Sequence, residues 1–336
     1  MKAGVYRGEK TVEVSQLPEP THKENEALIK VSYAGICGTD MMIYSGLHPR
    51  VLPPLVMGHE FSGVIDKIND NAHLKPGDRV AINPLISCGE CYACKNGQNH
   101  ICSNLRYLGI DKNGGFAQYV KVPVDNLYVL SPSISNEKGA LTEPLAVAIH
   151  TIRKSSLRFG DVVVILGAGP IGILIGLLAQ KAGASRVIIS DISEHRLKVA
   201  EEHGMTTINA QNENIVDTTK KVTNGVGADV VFEVAGTQST ADQMIEAIKP
   251  QGEILLVSVF KNPPKMNLAQ MHFREISLKT TRCFEGDDFQ KALKVLEQNE
   301  IDVTSIISHT LSIDKFEEGF QLMKDTNVSM KVLFQF

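Results

Sequence analysis

The sequence predicts an α/β protein in which a β-rich half precedes a doubly wound parallel sheet. Residues 1 to about 140 form short strand-like runs that end at glycine, proline, asparagine or aspartate. From about Phe159 onward, strand and helix patterns alternate, which favours a parallel sheet covered by helices on both faces. The chain has 336 residues, enough for two domains with separate cores.

Composition and charge exclude several classes of function. The chain is 43% hydrophobic and 21% charged, which is ordinary for a soluble globular protein. A formal net charge of -4 provides no basic surface for nucleic acid. The first residues, MKAGVYRGEKTVEV, lack the apolar stretch of a signal peptide, and we expect a cytoplasmic protein whose thiols stay reduced.

The first half contains four clear strand patterns and a turn. The strand patterns are VEVSQLP, ALIKVSYAG, GVIDKI and RVAINP, and each alternates or runs apolar before a breaker. The segment Lys75-Pro76-Gly77-Asp78 has the composition of a tight turn. We expect a small barrel or sandwich here.

The second half contains the alternating elements and a tail. Its strand patterns are DVVVILG, RVIISD, TTIN, ADVVFEV, GEILLVSV and EISLKTTR. The helix patterns between them are PIGILIGLLAQKAG, SEHRLKVAEEHG and STADQMIEAIKP. A last helix in DFQKALKVLEQNE precedes closing strands in SIISHTLS and MKVLFQF, and we expect this tail to return to the first half.

A glycine-rich loop interrupts the apolar run at 162–179. The run is nearly long enough to span a bilayer, but the loop divides it into a buried strand and a buried helix, so we expect no membrane segment. The loop has the pattern GxGxxG between strand and helix, which is typical of dinucleotide binding. The helix N-terminus would face the phosphates. The loop residues concerned are Gly167, Gly169, Pro170, Ile171 and Gly172.

Asp191 ends the next predicted strand. A carboxylate there binds the adenosine ribose hydroxyls and repels a 2′-phosphate, which favours NAD over NADP. The alternative interpretation is that Asp191 only caps the helix beginning near Ser193. Arg196 favours NADP to some extent, because an arginine can accept a 2′-phosphate.

Four of the six cysteines lie within one short segment, at about 88–102. Their spacing is C-x2-C-x2-C-x7-C, formed by Cys88, Cys91, Cys94 and Cys102. Four thiolates suit a structural zinc ion, and the alternative is a pair of disulfides. A nucleic-acid zinc ribbon is disfavoured because few basic residues lie nearby.

A second set of metal ligands is distributed more widely. Cys37 lies in GICGTD, and His59 and Glu60 lie in GHE. One thiolate, one imidazole and one carboxylate would leave a coordination position free for substrate, as in catalytic zinc sites. Spacing alone does not distinguish His59 from a hydrogen-bonded structural histidine.

Seven motifs follow one another along nearly the whole chain. These are GICGTD, GHEFSG, KPGDRV, the four cysteines, NGGFAQY, TEPLA and GAGPIG. On these motifs, which occur in the family's order, the chain resembles the zinc-dependent medium-chain dehydrogenases, in the branch of sorbitol and threonine dehydrogenases. The resemblance implies a GroES-like catalytic domain at 1–146 and 285–336, and a Rossmann domain at 147–284.

The same resemblance implies roles for residues around two zinc ions. Cys37 and His59 would bind the catalytic ion, and either Glu60 or Glu143 would complete its shell. Asp40 would orient His59, and Thr39 would begin a proton relay. The segment Val257, Ser258, Val259 and Phe260 would lie along the nicotinamide, and the candidates for substrate binding are Tyr44, His48, Arg50 and Arg282.

The function implied is hydride transfer between NAD and a secondary alcohol of a polyol or sugar acid. The segments GLHPRVLPPLVMGHE and TTRCFEGDDF resemble sugar-acid 5-dehydrogenases such as galactonate and gulonate dehydrogenases. The alternatives are a threonine or butanediol dehydrogenase and a non-catalytic nucleotide-binding zinc protein. Relatives are homotetramers or homodimers, and we expect small-molecule substrates with no nucleic-acid or membrane partner.

Overall fold

The computed structural model describes residues 1–336. The strands are β1 Lys2–Gly8, β2 Thr11–Gln16, β3 Glu26–Gly35, β4 Leu55–Val56, β5 Glu60–Ile68, β6 Arg79–Ile82, β7 Leu85–Ile86, β8 Arg106–Tyr107, β9 Tyr119–Pro123, β10 Leu127–Val129, β11 Val162–Leu166, β12 Arg186–Asp191, β13 Thr206–Asn209, β14 Ala228–Glu233, β15 Ile248–Leu256, β16 Ser277–Thr280, β17 Ile307–Ser312 and β18 Lys331–Gln335. The helices are α1 Gly38–Tyr44, α2 Tyr92–Lys95, α3 Asn136–Ala140, α4 Thr142–Lys154, α5 Pro170–Lys181, α6 Glu194–Glu202, α7 Ile215–Val222, α8 Gln238–Ala247, α9 Leu268–Phe273, α10 Gly286–Gln298 and α11 Phe316–Leu322.

The chain divides into two compact units. The first unit comprises Met1–Ala146 together with Glu285–Phe336, and the second comprises Val147–Phe284. The strands expected in TTIN, EISLKTTR, SIISHTLS and MKVLFQF are confirmed as β13, β16, β17 and β18. None of the helices combines the length and the apolarity needed to cross a membrane.

The first unit is built on a mainly antiparallel sheet that joins both ends of the chain. Its strand order is β10-β6-β5-β3-β18-β17, and β9 also pairs with β3. The C-terminal strand β18 lies antiparallel to β3, with β17 parallel to β18. Two smaller sheets, β2-β1-β4 and β7-β8, complete the unit.

An aromatic cluster forms part of the core of the first unit. Phe116 precedes β9, Phe316 and Phe320 lie on α11, and Phe334 lies on β18. All four are less than 2% exposed, with ring centroids 5.1–6.2 Å apart. Gly4 makes room for this cluster, because a Cβ there would lie 2.5 Å from the Phe316 ring.

The second unit is an open parallel sheet with the order β13-β12-β11-β14-β15-β16. The strand order reverses between β11 and β14, and open sheets of this kind bind nucleotides at the carboxyl ends of the strands beside that reversal. The central strand β11 is almost wholly buried, which explains its unbroken apolar sequence.

Replacing Phe316 by alanine should lower the free energy of unfolding of the protein by about 3–5 kcal/mol, because it leaves a cavity among buried rings. Urea denaturation followed by circular dichroism measures the change. Phe159→Ala is the matched control, since that side chain is 92% exposed and its loss should change stability little. Equal effects of the two substitutions would contradict the placement of Phe316 in the core.

Candidate metal centres and nucleotide site

The four thiols of the cysteine-rich segment converge in the first unit. The Sγ–Sγ distances are 4.0 Å for Cys88–Cys94, 3.5 Å for Cys91–Cys94 and 3.4 Å for Cys88–Cys102. All four ligand atoms lie within 4.8 Å of one another. With Zn–S bonds of ~2.3 Å, the edges of a tetrahedral sulfur cage are about 3.8 Å long, so the spacing suits zinc.

The surroundings of these thiols also suit a metal. All four cysteines are free rather than paired in disulfides. The backbone amides of Cys88 and Asn104 each donate to Cys102 Sγ at 3.3 Å. Backbone hydrogen bonds from Cys94 and Ser103 lower the pKa of Cys91 to about 6, whereas burial raises the pKa of Cys94 to about 11, so Cys91 is the thiol of the pair that ionises first. Thiolates are the form that binds zinc, so the residues present fit a structural ion.

A second cluster in the same unit contains Cys37, His59 and Glu60, whose ligand atoms lie within 4.8 Å of one another. Cys37 directly precedes α1, and Glu60 is the first residue of β5. His59 and Glu60 are buried, with 4% and 1% of their surface exposed. Three ligands of different types converge at one point inside the protein, which fits a zinc ion with a free coordination position.

Electrostatics at this cluster favour a bound positive charge. Burial alone lowers the pKa of His59, but the charges of Asp40 and Cys37 outweigh it and raise that pKa well above its ordinary value. The Asp40 carboxylate lies 3.8 Å from His59 Nδ1, and Nδ1 has no hydrogen-bond partner. Asp40 instead accepts from Cys37 N at 2.9 Å and Gly58 N at 3.4 Å. It therefore adds negative charge beside His59 without a hydrogen bond to it.

Lys331 is a functional candidate that the sequence interpretation missed. It lies on β18 and is 3% exposed. Its Nζ donates to both Glu60 oxygens, at 2.8 and 2.5 Å, and to Ile36 O at 3.1 Å. A signal was present in the sequence, because this lysine interrupts an apolar closing strand. The ammonium compensates the buried carboxylate and holds it in place.

Strand register brings this pair together. Gly35 on β3 pairs with Glu60 on β5 on one side and with Leu333 on β18 on the other. A Cβ at Gly35 would lie 2.7 Å from Glu60 Oε2. The missing side chain therefore leaves the space in which the Glu60 carboxylate meets the ammonium of Lys331.

Glu143 lies in the first turn of α4 and is 7% exposed. It is absent from the three-residue ligand cluster. Burial, reinforced by the charge of Glu60, raises its pKa to about 7. Of the two carboxylates named from the sequence, Glu60 is the one whose oxygen lies among the other ligands.

Three of the remaining candidates in the first unit are engaged in local contacts. Tyr44 is buried, and its hydroxyl accepts from Gln321 and Lys324 on and beside α11, both at 3.3 Å. Arg50 donates to Leu105 O at 3.1 Å. His48 Nδ1 accepts from Arg50 N at 3.4 Å, and burial followed by the Arg50 charge lowers the pKa of His48.

Thr39 lies on α1, two residues after Cys37, and is partly exposed. Arg282 lies in the second unit, where its exposed side chain donates to Cys283 Sγ at 3.3 Å. Among the candidates for substrate or proton contact, Thr39 is therefore the residue next to the ligand cluster in sequence.

The glycine-rich loop in the second unit has the geometry of a phosphate-binding turn. Gly167 has φ +114°, and a Cβ at Gly172 would lie 1.9 Å from Gly167 O. Both positions therefore require glycine. Gly169 is the N-cap of α5 and Pro170 is its first residue. Since Ile173 N donates to Gly169 O at 3.0 Å, the free amides of this helix N-terminus are those of Ile171 and Gly172.

Asp191 links this loop to the next helix. Its carboxylate accepts from Ala168 N at 2.8 Å and from Ser193 N at 3.0 Å. The N-cap of α6 is Ser193, whose hydroxyl accepts from Arg196 N. The alternative interpretation of Asp191 as the N-cap of this helix is therefore wrong. The Arg196 Nε is buried without a hydrogen-bond partner, and burial lowers the pKa of that guanidinium.

A second residue missed from the sequence is Glu233, which is fully buried at the end of β14. Its carboxylate accepts hydrogen bonds from Ala235 N, Gly236 N and the hydroxyls of Thr240 and Ser258. Its backbone oxygen accepts from Val257 N and Ser258 N. The predicted cofactor segment Val257, Ser258 and Val259 is thus attached to Glu233 directly.

Comparison with known proteins shows the family. Residues 23–132 match the model of the alcohol dehydrogenase GroES-like domain, and residues 170–298 match that of the zinc-binding dehydrogenases. The chain is also 35% identical over 337 aligned positions to the 2-dehydro-3-deoxy-L-galactonate 5-dehydrogenase of Pseudoalteromonas atlantica, covering 100% of this chain and 98% of that protein. The chain belongs to the zinc-binding dehydrogenases. The predicted α/β fold class, with GroES-like and Rossmann parts, is confirmed.

Two further similar proteins show the range of the family. This chain is 33% identical to the L-threonine 3-dehydrogenase of Bacillus subtilis, and the alignment covers 95% of this chain and 94% of that protein. Among solved structures, it resembles a zinc-binding dehydrogenase of Sinorhizobium meliloti 1021 bound to NADP. That match has a TM-score of 0.92 and 30% identity, covering 99% of this chain and 98% of the other.

Removing a ligand from one cysteine-containing cluster should release the zinc ion of that cluster and leave the ion of the other cluster bound. We expect two zinc ions per chain in the wild type and one each in Cys37→Ser and Cys102→Ser, because each substitution removes a ligand from one cluster. Cys283→Ser is the matched control and should retain both ions, since Cys283 belongs to neither cluster. Elemental analysis of the purified proteins gives the count. Loss of both ions in Cys37→Ser would contradict independent sites.

Replacing Lys331 by methionine should destabilise the chelator-treated protein by about 3–5 kcal/mol, because it leaves the Glu60 carboxylate buried without a counter-charge. Adding Glu60→Gln to this variant should recover most of the loss. Urea denaturation of the single and double variants measures both effects. If the second substitution recovers nothing, the destabilisation comes from packing rather than from charge.

Proposed function

We propose that the protein is a zinc-dependent dehydrogenase that transfers a hydride between NAD and a secondary alcohol of a polyol or sugar acid. The observation that carries this proposal is the convergence of the half-buried Cys37 with the buried His59 and Glu60, with ligand atoms within 4.8 Å of one another. Two cysteine-containing metal clusters and a dinucleotide-type sheet in one chain support a catalyst rather than a nucleotide-binding protein without active metal.

The proposed chemistry assigns separate tasks to the ions, the cofactor and the side chains. At the Cys37 cluster, zinc would supply a Lewis acid for the substrate oxygen and NAD the hydride acceptor. Cys37, His59 and Glu60 hold the ion, and Glu143 lies outside this set. The Thr39 hydroxyl relays the substrate proton, because it accepts that proton as it passes its own hydroxyl proton to solvent water, and Lys331 fixes the orientation of Glu60. The first unit is then the catalytic domain and the second the cofactor domain.

The proposed substrate class rests on the ligand set and on the relatives. A carboxylate in place of a second cysteine suits the polyol side of the family, and one relative is named for action on a sugar acid. The specific rival is threonine oxidation, because another relative is an L-threonine 3-dehydrogenase. The first-unit substrate candidates Tyr44, His48 and Arg50 all make local contacts, so these contacts do not single out one of them.

The proposed enzyme acts in the cytoplasm as a homotetramer or homodimer. The free thiols of Cys37, Cys88, Cys91, Cys94 and Cys102 support a reducing compartment, since neighbouring thiols pair under oxidising conditions.

The substrate class is tested with a panel of aldonates, hexitols, threonine, butanediol and ethanol, monitored by NADH formation. We expect the highest kcat/KM with an aldonate or hexitol.

Cys37→Ser should reduce the rate by roughly 10³-fold or more, because loss of the metal ion removes several kcal/mol of charge stabilisation. Thr39→Ala should be about 10²-fold slower, with Thr39→Ser close to wild type. Strict preference for threonine would replace the sugar-acid assignment, and full activity of Cys37→Ser would refute zinc catalysis.

The choice of NAD over NADP is attributed to Asp191. Its carboxylate, fixed by two backbone amides, repels a 2′-phosphate and accepts from ribose hydroxyls. Asp191→Asn keeps the size but removes the charge, and we expect the ratio of kcat/KM for NAD to that for NADP to fall by about tenfold or more. The exposed Asp217→Asn is the control and should leave the ratio unchanged. If Asp191→Asn leaves the ratio of kcat/KM for NAD to that for NADP unchanged, a residue other than Asp191 determines the choice of cofactor.

A further inference from the structure

Glu233 is a fully buried acid whose carboxylate accepts hydrogen bonds from four uncharged donors. The amides of Ala235 and Gly236 donate to Oε1 at 3.0 and 2.7 Å, and the Thr240 hydroxyl donates to the same oxygen at 2.7 Å. The Ser258 hydroxyl donates to Oε2. Several converging donors stabilise a buried carboxylate without a cation.

These donors come from separate segments that meet at the carboxyl end of the sheet. Ala235 and Gly236 follow β14, Thr240 lies in the first turn of α8, and Ser258 follows β15. The loop after β14 also lies against the glycine-rich loop, since a Cβ at Gly167 would lie 3.2 Å from Ala235 Cβ. Glu233 therefore joins the segments that border the expected cofactor site.

Sheet topology indicates which half of the cofactor lies here. Asp191 marks the adenosine side at the end of β12, and the α5 N-terminus marks the pyrophosphate beside β11. The strands β14 and β15 lie on the other side of β11. The nicotinamide half should therefore lie over the ends of β14 and β15, where Ser258 is partly exposed.

We infer that Glu233 is a positioning residue that fixes the Ser258 hydroxyl as a hydrogen-bond acceptor for the nicotinamide half of the cofactor, an inference that rests on the dehydrogenase function proposed above. The Ser258 proton is committed to Glu233, so only the oxygen lone pairs face a ligand. The matching ligand group is a donor: the carboxamide NH₂ or a hydroxyl of the nicotinamide ribose.

Glutamine at position 233 separates this role from packing. Its carbonyl oxygen can occupy the Oε1 position and keep the amides of Ala235 and Gly236 bonded. Its NH₂ group then faces Ser258 and donates to it, so the Ser258 proton must point toward the ligand. Two donors would oppose each other there, and the cofactor would lose a hydrogen bond although the loops keep their shape.

The test measures NADH binding to the zinc-loaded protein by calorimetry, together with KM for NAD and kcat. Glu233→Gln should bind NADH about tenfold more weakly and raise KM for NAD more than it lowers kcat, the effect of losing one good hydrogen bond. The matched control is Glu253→Gln, which removes a buried carboxylate bonded to Ser156 N and Lys279 and should bind NADH within twofold of wild type.

A double-mutant cycle shows whether Glu233 acts through Ser258. Ser258→Ala should weaken NADH binding to a similar extent, and Glu233→Gln should add little in the Ser258→Ala background, because the two changes remove one interaction. Additive losses, or wild-type affinity in Glu233→Gln, would overturn the inference. A wild-type protein that binds neither NADH nor NADPH would instead refute the proposed function.

An NAD analogue with an acetyl group in place of the carboxamide identifies the donor and keeps the test valid if Glu233→Gln fails to fold. If the carboxamide donates to Ser258, Ser258→Ala should weaken binding of NAD but not of the analogue. If a ribose hydroxyl donates, Ser258→Ala should weaken the binding of NAD and of the analogue equally. Unchanged binding of both nucleotides to Ser258→Ala overturns the inference.

Discussion

The buried ion pair of Glu60 and Lys331 is the constraint on which the first unit depends. A carboxylate that is 1% exposed is stable only if another group compensates its charge. The compensating ammonium comes from the last strand of the chain, so the metal-binding segment and the C-terminal tail must fold into one sheet. The same tail carries Phe334 into the aromatic cluster, and the charge and the apolar core therefore select the same pairing of β18 with β3.

Glu233 in the second unit is a buried carboxylate that is compensated differently. Glu233 is compensated by backbone amides and hydroxyls rather than by a lysine. A lysine would place a long, charged chain at the edge where a dinucleotide is expected to bind. Amides and hydroxyls hold the loops closely and leave defined donor and acceptor positions for a ligand. Glu60 is thus a buried acid beside a proposed metal ion, and Glu233 is a buried acid beside a proposed cofactor.

The sequence predicted what depends on local pattern. Alternating strand and helix signals indicated the parallel sheet, and closely spaced cysteines indicated a thiolate cluster, because both signals lie within short windows. Lys331 was missed because its partner Glu60 is set by strand register, which no local pattern reveals. For Glu233 the same holds of Ser258, which the pairing of β14 with β15 brings to it. Each was nevertheless a charged residue in an apolar strand, and such a residue requires a partner once the strand is buried.

Register also explains why these features cannot shift independently. Side chains alternate between the two faces of a strand, so a one-residue slip of β18 would put Val332 in the place of Lys331 and Gln335 in the place of Phe334. The ammonium would leave the Glu60 carboxylate, and the ring of Phe334 would leave its aromatic neighbours. Gly35 adds a steric requirement, because only a residue without a side chain leaves room for Glu60 Oε2 there. Charge, packing and space thus agree on a single register, and that register places Glu60 beside Cys37 and His59.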